Sequence, residues 1–145
     1  MEWAALITWV LTAGGGFVLL SIWLARGGMR QQREAGNRIR PPLIFSHFGL
    51  AATGLVLWII YLATDSDALA WIAFAALVVV ALLGWTMFAI WLRRRQARVR
   101  AQPVEGAAGE PAEQHFPVSI VTLHGLLAVT TVVLVFLTAV GVGGS

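Results

Sequence analysis

The chain has 145 residues, of which 59% are apolar and only 12% charged, with a net charge of +3. A soluble domain of this size cannot hide so much apolar surface, which excludes an ordinary globular fold. All ten basic residues are arginines grouped in two loops beside apolar runs, which argues against a nucleic-acid surface, and the lack of cysteine removes disulfides and thiolate sites.

The first apolar run is free of charge from Trp3 to Ala25. Met1-Glu2-Trp3 puts no basic segment ahead of it, so a retained span is expected and not a cleaved signal. The loop after it, about residues 26–42, holds Arg26, Arg30, Arg33, Arg38 and Arg40 against a single acid, Glu34. Pro41-Pro42 opens the second run, uncharged from Leu43 to Thr64, where a missing N–H does least harm. A tight turn around Asp65, Ser66 and Asp67 leads into the third run, uncharged from Ala68 to Leu92. The loop at about 93–116 begins with Arg93, Arg94, Arg95, Arg98 and Arg100. Its continuation, Ala101 to Gln114, is rich in Ala, Gly, Pro and Glu and reads as a mobile connection. Pro117 opens the fourth run, uncharged from Phe116 to Ser145.

Each run is long enough to cross about 30 Å of hydrocarbon at 1.5 Å per residue. Hydrocarbon offers the backbone no water, so each must be a helix or part of a closed barrel. The runs lack the alternation of barrel strands and are about twice too long for them. The expected fold is an all-α integral membrane protein, a four-transmembrane-helix up-down bundle forming one domain over residues 1–145. Arginine-rich short loops stay in the cytoplasm. That puts both chain ends on the non-cytoplasmic side of a plasma (inner) membrane. Trp23 and Trp91 at one level, and Trp3, Trp71, Trp58 and Tyr61 at the other, are expected as headgroup anchors.

The two halves resemble each other. An offset of 68 aligns Trp3 with Trp71, Gly16 with Gly84, Arg26 with Arg94 and Ile22-Trp23-Leu24 with Ile90-Trp91-Leu92. An offset of 77 aligns His47 with His124, Ala51 with Ala128, Thr53 with Thr130 and Val56 with Val133. Apolar matches between membrane helices come easily, but the Trp, Gly and His matches keep one order along the chain. We read a duplicated helical hairpin, with repeat one at about 1–64 and repeat two at about 68–145.

Ionisable groups within membrane spans usually face the protein interior and mark function. Two stand here, His47 and His124. Each lies several residues past the proline that opens its span, so the imidazoles share a depth in the cytoplasmic leaflet. The face of span two below His47 holds Ala51, Gly54 and Trp58, and that of span four below His124 holds Ala128, Thr131 and Val135. These mostly small residues leave room for a neighbouring helix or for a flat cofactor. Gly14-Gly15-Gly16 and Gly84 offer further clearance.

Paired neutral imidazoles from two parallel helices are one way to hold haem iron. With His47 and His124 on the second and fourth of four helices, the chain resembles the membrane-embedded b-type cytochromes. Those bundles hold haem between histidines on the same two helices. The resemblance implies haem b as cofactor, His47 and His124 as its metal ligands, and small faces at Ala51, Gly54, Ala128 and Thr131 against the macrocycle. Respiratory members commonly carry two histidines per ligand helix, whereas this chain has one, so one haem per monomer is implied. Arg40 or Arg38 would then meet the propionates, because guanidinium pairs well with carboxylate. Electron transfer or haem sensing and handling would follow, with a redox or membrane-complex partner protein or a homodimer. Ordinary helix spacing is tight for such a haem, so the ligand helices are expected to stand apart.

Two other readings use the same residues. A cofactor-free accessory subunit would use the histidines as polar links between helices, and a proton-linked protein would use them as carriers. Two imidazoles are too few for structural zinc. His115 reads as a solvated histidine at the interface and Met87 as packing. The hydroxyls of Ser46, Thr53, Thr122, Thr130 and Thr131 are expected to bond back to their own helices. No nucleophile–base pair, phosphate loop or metalloprotease motif is present.

Overall fold

The computed structural model describes residues 1–30, 39–100 and 111–142. Arg33 and Arg38, and residues 101–110 of the long loop, lie outside the described residues. Four helices follow one another: α1 (Glu2–Ala25), α2 (Pro41–Thr64), α3 (Asp67–Arg100) and α4 (Val118–Ala139), each long and apolar enough to cross a membrane. The protein is a multi-pass membrane protein with an all-α four-helix bundle.

The helix boundaries follow local chemistry. Arg40 is extended because the next residue is proline, and Pro41 then takes the first helical position of α2. Asp65 closes α2 in the left-handed conformation, φ 51°, which Asp tolerates better than most residues. Gly27 ends α1 at φ 78°, with the N–H of Gly28 bonded to the Trp23 carbonyl and that of Gly27 to Leu24. Gly141 ends α4 in the same way, bonding Thr138, with Val142 bonding Leu137. Glycine is needed at both places because a Cβ is strained at positive φ.

α1 packs along α4, and α2 along α3, over most of their lengths. Contacts between α1 and α2, and between α3 and α4, are sparser. No Cα of α2 comes within 8 Å of one on α4, so these two helices stand on a diagonal. The bundle is therefore two tight pairs facing each other across a slot. Each tight pair draws one helix from each half of the sequence, so the hairpin within each half, α1 with α2 and α3 with α4, is the looser contact.

Towards the acidic end, near Glu2, Asp65 and Asp67, a buried cluster of Ala5, Trp9, Trp58, Tyr61, Ala70, Ala73, Leu77 and Val135 fills the slot. Trp9 and Trp58 join α1 to α2 with ring centres 6.5 Å apart, and Phe74 and Phe136 join α3 to α4 at 5.2 Å. Towards the basic end, Trp23, Ile39, Pro41, Trp91, Ala112 and Glu113 form a second buried layer.

Three expectations are corrected here. Trp23, Trp58, Tyr61 and Trp91 are buried, so they pack inside the bundle at the level where anchors were expected; Trp3 and Trp71 do face outwards. α3 runs on through Arg100, so the third loop begins eight residues later than its charge suggested. The end of that loop is ordered: Ala112–His115 is a 3-10 turn against α1 and α3, with Glu113 only 1% exposed.

Candidate functional site

Between the two buried layers lies a layer containing the two histidines. Each belongs to one helix of a tight pair and leans on the other. The Nδ1 of His47, on α2, lies 2.9 Å from the Val80 carbonyl of α3. The Nδ1 of His124, on α4, lies 2.9 Å from the Thr12 carbonyl of α1. A carbonyl only accepts, so in both rings Nδ1 carries the proton and donates it.

Glycine makes both approaches possible. A Cβ on Gly84, four residues beyond Val80, would stand 3.2 Å from His47 Cε1. A Cβ on Gly16, four residues beyond Thr12, would stand 3.0 Å from His124 Cε1, and one on Gly15 3.6 Å from its Nδ1. Thr12 and Val80, like Gly16 and Gly84, are related by the offset of 68 that aligns α1 with α3. The two histidines are related by the offset of 77. Each imidazole thus has the same backbone acceptor and the same glycine at corresponding positions.

Fixing the proton on Nδ1 fixes the other nitrogen as well. Nε2 keeps its lone pair, the state in which histidine binds a metal. The ring centres lie 6.3 Å apart, with the planes at 59°. Two metal–imidazole bonds of about 2 Å, plus roughly 1 Å from each nitrogen to its ring centre, put trans imidazole centres about 6 Å apart. The pair is therefore spaced for one metal between its rings. Among the described residues no cluster of three or more His, Cys, Asp or Glu forms a metal site. Two neutral imidazoles suit a metal whose remaining positions are filled by its own ligand, as the four nitrogens of a porphyrin do. The two imidazoles belong to opposite tight pairs, and their donor chemistry and 6.3 Å spacing are of the kind that fits haem.

The remaining expected residues divide. Ala51 and Ala128, four residues beyond each histidine, are both half-buried. Gly54 and Thr131 belong to the next layer towards the acidic end. The room at Gly54 is taken by the Trp9 indole, whose Cζ2 is 3.0 Å from where a Cβ would be. Thr131 is buried and bonded to the Leu127 carbonyl at 2.8 Å, with Thr12 Oγ1 at 3.3 Å. Both positions are thus packed by protein. Thr53 and Thr130 also bond back to their own helices, at 2.9 and 3.0 Å. Arg40 is exposed at the start of α2, and Met87 and His115 are half-buried.

Sequence reasoning missed the two carbonyl acceptors, because backbone groups leave no trace in residue identity. The offset of 68 held the signal: it pairs Thr12 with Val80 as surely as Gly16 with Gly84. Also missed were polar atoms in the basic-end layer. Arg94 Nε, Glu113 Oε1 and Gln114 Nε2 are buried there without a hydrogen-bond partner among the described residues. Neither a family model, nor a curated protein, nor a solved structure matches the chain.

Proposed function

We propose that this protein is a small b-type haem protein of the plasma (inner) membrane, with His47 and His124 as the axial ligands of one haem. One observation carries the reading. Two imidazoles from diagonal helices stand 6.3 Å apart, each with Nδ1 held by a backbone carbonyl. Hydrogen-bonded Nδ1–H groups orient the rings and raise the basicity of Nε2. Haem b would supply a one-electron couple, suited to passing electrons to a membrane or protein partner or to sensing haem. The protein's part is to hold both rings, keep water out and set the local dielectric.

The orientation follows from charge. Arg26, Arg30, Arg40 and the five arginines from Arg93 to Arg100 lie at one end of the bundle, and Glu2, Asp65 and Asp67 at the other. By the positive-inside rule the basic end is cytoplasmic and both chain ends are outside. The haem would then lie nearer the cytoplasmic face. The matching histidine environments also support descent from a duplicated two-helix unit, with repeats at about 1–64 and 68–145.

The same two hydrogen bonds favour one rival, a cofactor-free bundle in which the histidines only link helices. A reduced-minus-oxidised spectrum separates them. The protein is expressed with a haem precursor, purified in detergent and compared with His47→Ala and His124→Ala. A bis-histidine b-type spectrum in the parent, lost in both variants, is expected. A parent that stays colourless when haem is added ends the haem reading and leaves the cofactor-free bundle.

A further inference from the structure

Resting on the haem reading, we infer that Arg94 and Gln114 form a carboxylate-binding subsite at the basic end of the slot, which takes the propionates and so sets which edge of the macrocycle points that way. Arg94 Nε and Gln114 Nε2 are buried donors with no hydrogen-bond partner among the described residues. A buried donor left unpaired is unfavourable, and a guanidinium group is the stronger case. An acceptor supplied by a ligand would relieve both.

Their position suits such a ligand. Arg94 follows Gly84, the residue against His47, by ten positions on the same helix, a rise of about 15 Å. Side chains on a helix lean towards its N-terminus, and the N-terminus of α3 lies at the acidic end, so Arg94 leans back towards the histidine layer. That lean shortens the distance from its Nε to the edge of a porphyrin held at the histidines. Gln114 belongs to the 3-10 turn that packs on α3 and α1 at the same end. The third orphan, Glu113 Oε1, is an acceptor and serves only a protonated carboxyl; a two-propionate ligand can present one ionised and one protonated.

The duplication does not repeat this feature. Arg26, the counterpart of Arg94, is exposed. A haem between two equivalent histidines would otherwise have no preferred edge. The subsite gives it one. Arg40, exposed at the start of α2, is not needed for this role.

The test compares two haems that differ only in their carboxyls, iron mesoporphyrin and its dimethyl ester. Each is titrated by absorbance into purified parent, Arg94→Leu and Gln114→Leu. The parent is expected to bind the free acid about tenfold or more tightly than the ester. Each variant should lose most of that preference while keeping its affinity for the ester, which also shows that its fold and histidines are intact. Arg94→Lys should restore part of it. A parent that binds acid and ester alike, or variants that keep the full preference, overturns the subsite while leaving the haem. A parent that binds neither compound overturns the haem reading and the subsite with it.

Discussion

His124 rests on Gly16 so closely that a methyl group at that glycine would stand 3.0 Å from the ring's Cε1. His47 stands in the same relation to Gly84, at 3.2 Å. Gly16→Ala and Gly84→Ala should each push a ring away and lengthen its bond to the carbonyl four residues earlier. Overpacking of this kind destabilises by about 1–3 kcal/mol, offset by up to about 1 kcal/mol from better helix propensity. Gly14 meets nothing within 4 Å, so Gly14→Ala should be neutral or stabilising by up to about 1 kcal/mol. Thermal unfolding in detergent ranks the three. Equal effects at Gly14 and Gly16 would mean that the glycines are not there for the rings.

A second close approach holds the outer layer. Gly54 of α2 accepts the edge of Trp9 from α1, and Trp9 lies against Trp58. Gly54→Leu has no room to expand into and should lower stability by about 1–3 kcal/mol. Trp9→Ala should lower it by about 3–5 kcal/mol through the cavity it leaves. The double variant is expected to recover part of the loss, because the new leucine enters the vacated space. Strictly additive losses in a double-mutant cycle would show that the two residues do not share that space.

Near the acidic end, Tyr61 donates its hydroxyl to Glu2 Oε1 at 3.1 Å, and Trp58 Nε1 points to the Glu2 carbonyl at 3.4 Å. These bonds tie the start of α1 to the end of α2, the loosest neighbouring pair in the bundle. Tyr61→Phe should cost about 1 kcal/mol. Glu2→Gln should cost less, since its amide oxygen still accepts. Faster proteolysis or hydrogen exchange at the first turn of α1 in Tyr61→Phe, with the rest of the helix unchanged, is the local signature expected.

Much of this architecture was legible in the chain. Four uncharged runs between Trp3 and Ser145 can only be helices once they are placed in hydrocarbon, and the prolines at 41 and 117 mark two starts to within a residue or so. The shared level of His47 and His124 followed from their distance to those prolines. The inward turn of Trp23, Trp58 and Trp91 did not. A helix that is apolar all round has no polar face to reveal which side is buried, and an indole suits the headgroup level whether it points in or out. Gly54 and Thr131 leave open a neighbouring helix or a flat ligand, because small residues signal close approach without saying by what; Trp9 and Thr12 supply the answer. The order at Ala112–His115 was hidden because a loop rich in Gly, Pro and Glu carries no period, and Glu113 is buried by tertiary packing alone.

The orientation can be tested with single cysteines, since the chain has none of its own. Asp67 and Arg30 are exposed at opposite ends of the bundle. In intact cells, Asp67→Cys should react with a membrane-impermeant maleimide, and Arg30→Cys should react only after the membrane is opened. The reverse pattern would invert the topology and put the histidine layer nearer the outer face.

The crossing of the two imidazoles has a spectroscopic consequence. Parallel axial rings donate to the same iron d orbital and split the orbital pair widely. Crossed rings donate to both and leave the pair nearly equal in energy. The planes of His47 and His124 meet at 59°, closer to crossed than to parallel. A haem held between these rings as proposed would therefore give, in its ferric form, a strongly anisotropic low-spin resonance with a large leading g value. Each ring is held in that attitude by its carbonyl and its glycine, so Gly16→Ala and Gly84→Ala, which turn one ring each, should shift that feature. Gly14→Ala should leave it in place. A compact rhombic signal from the parent would mean that the rings align when iron is bound, and that the bonds to Val80 and Thr12 do not govern their orientation.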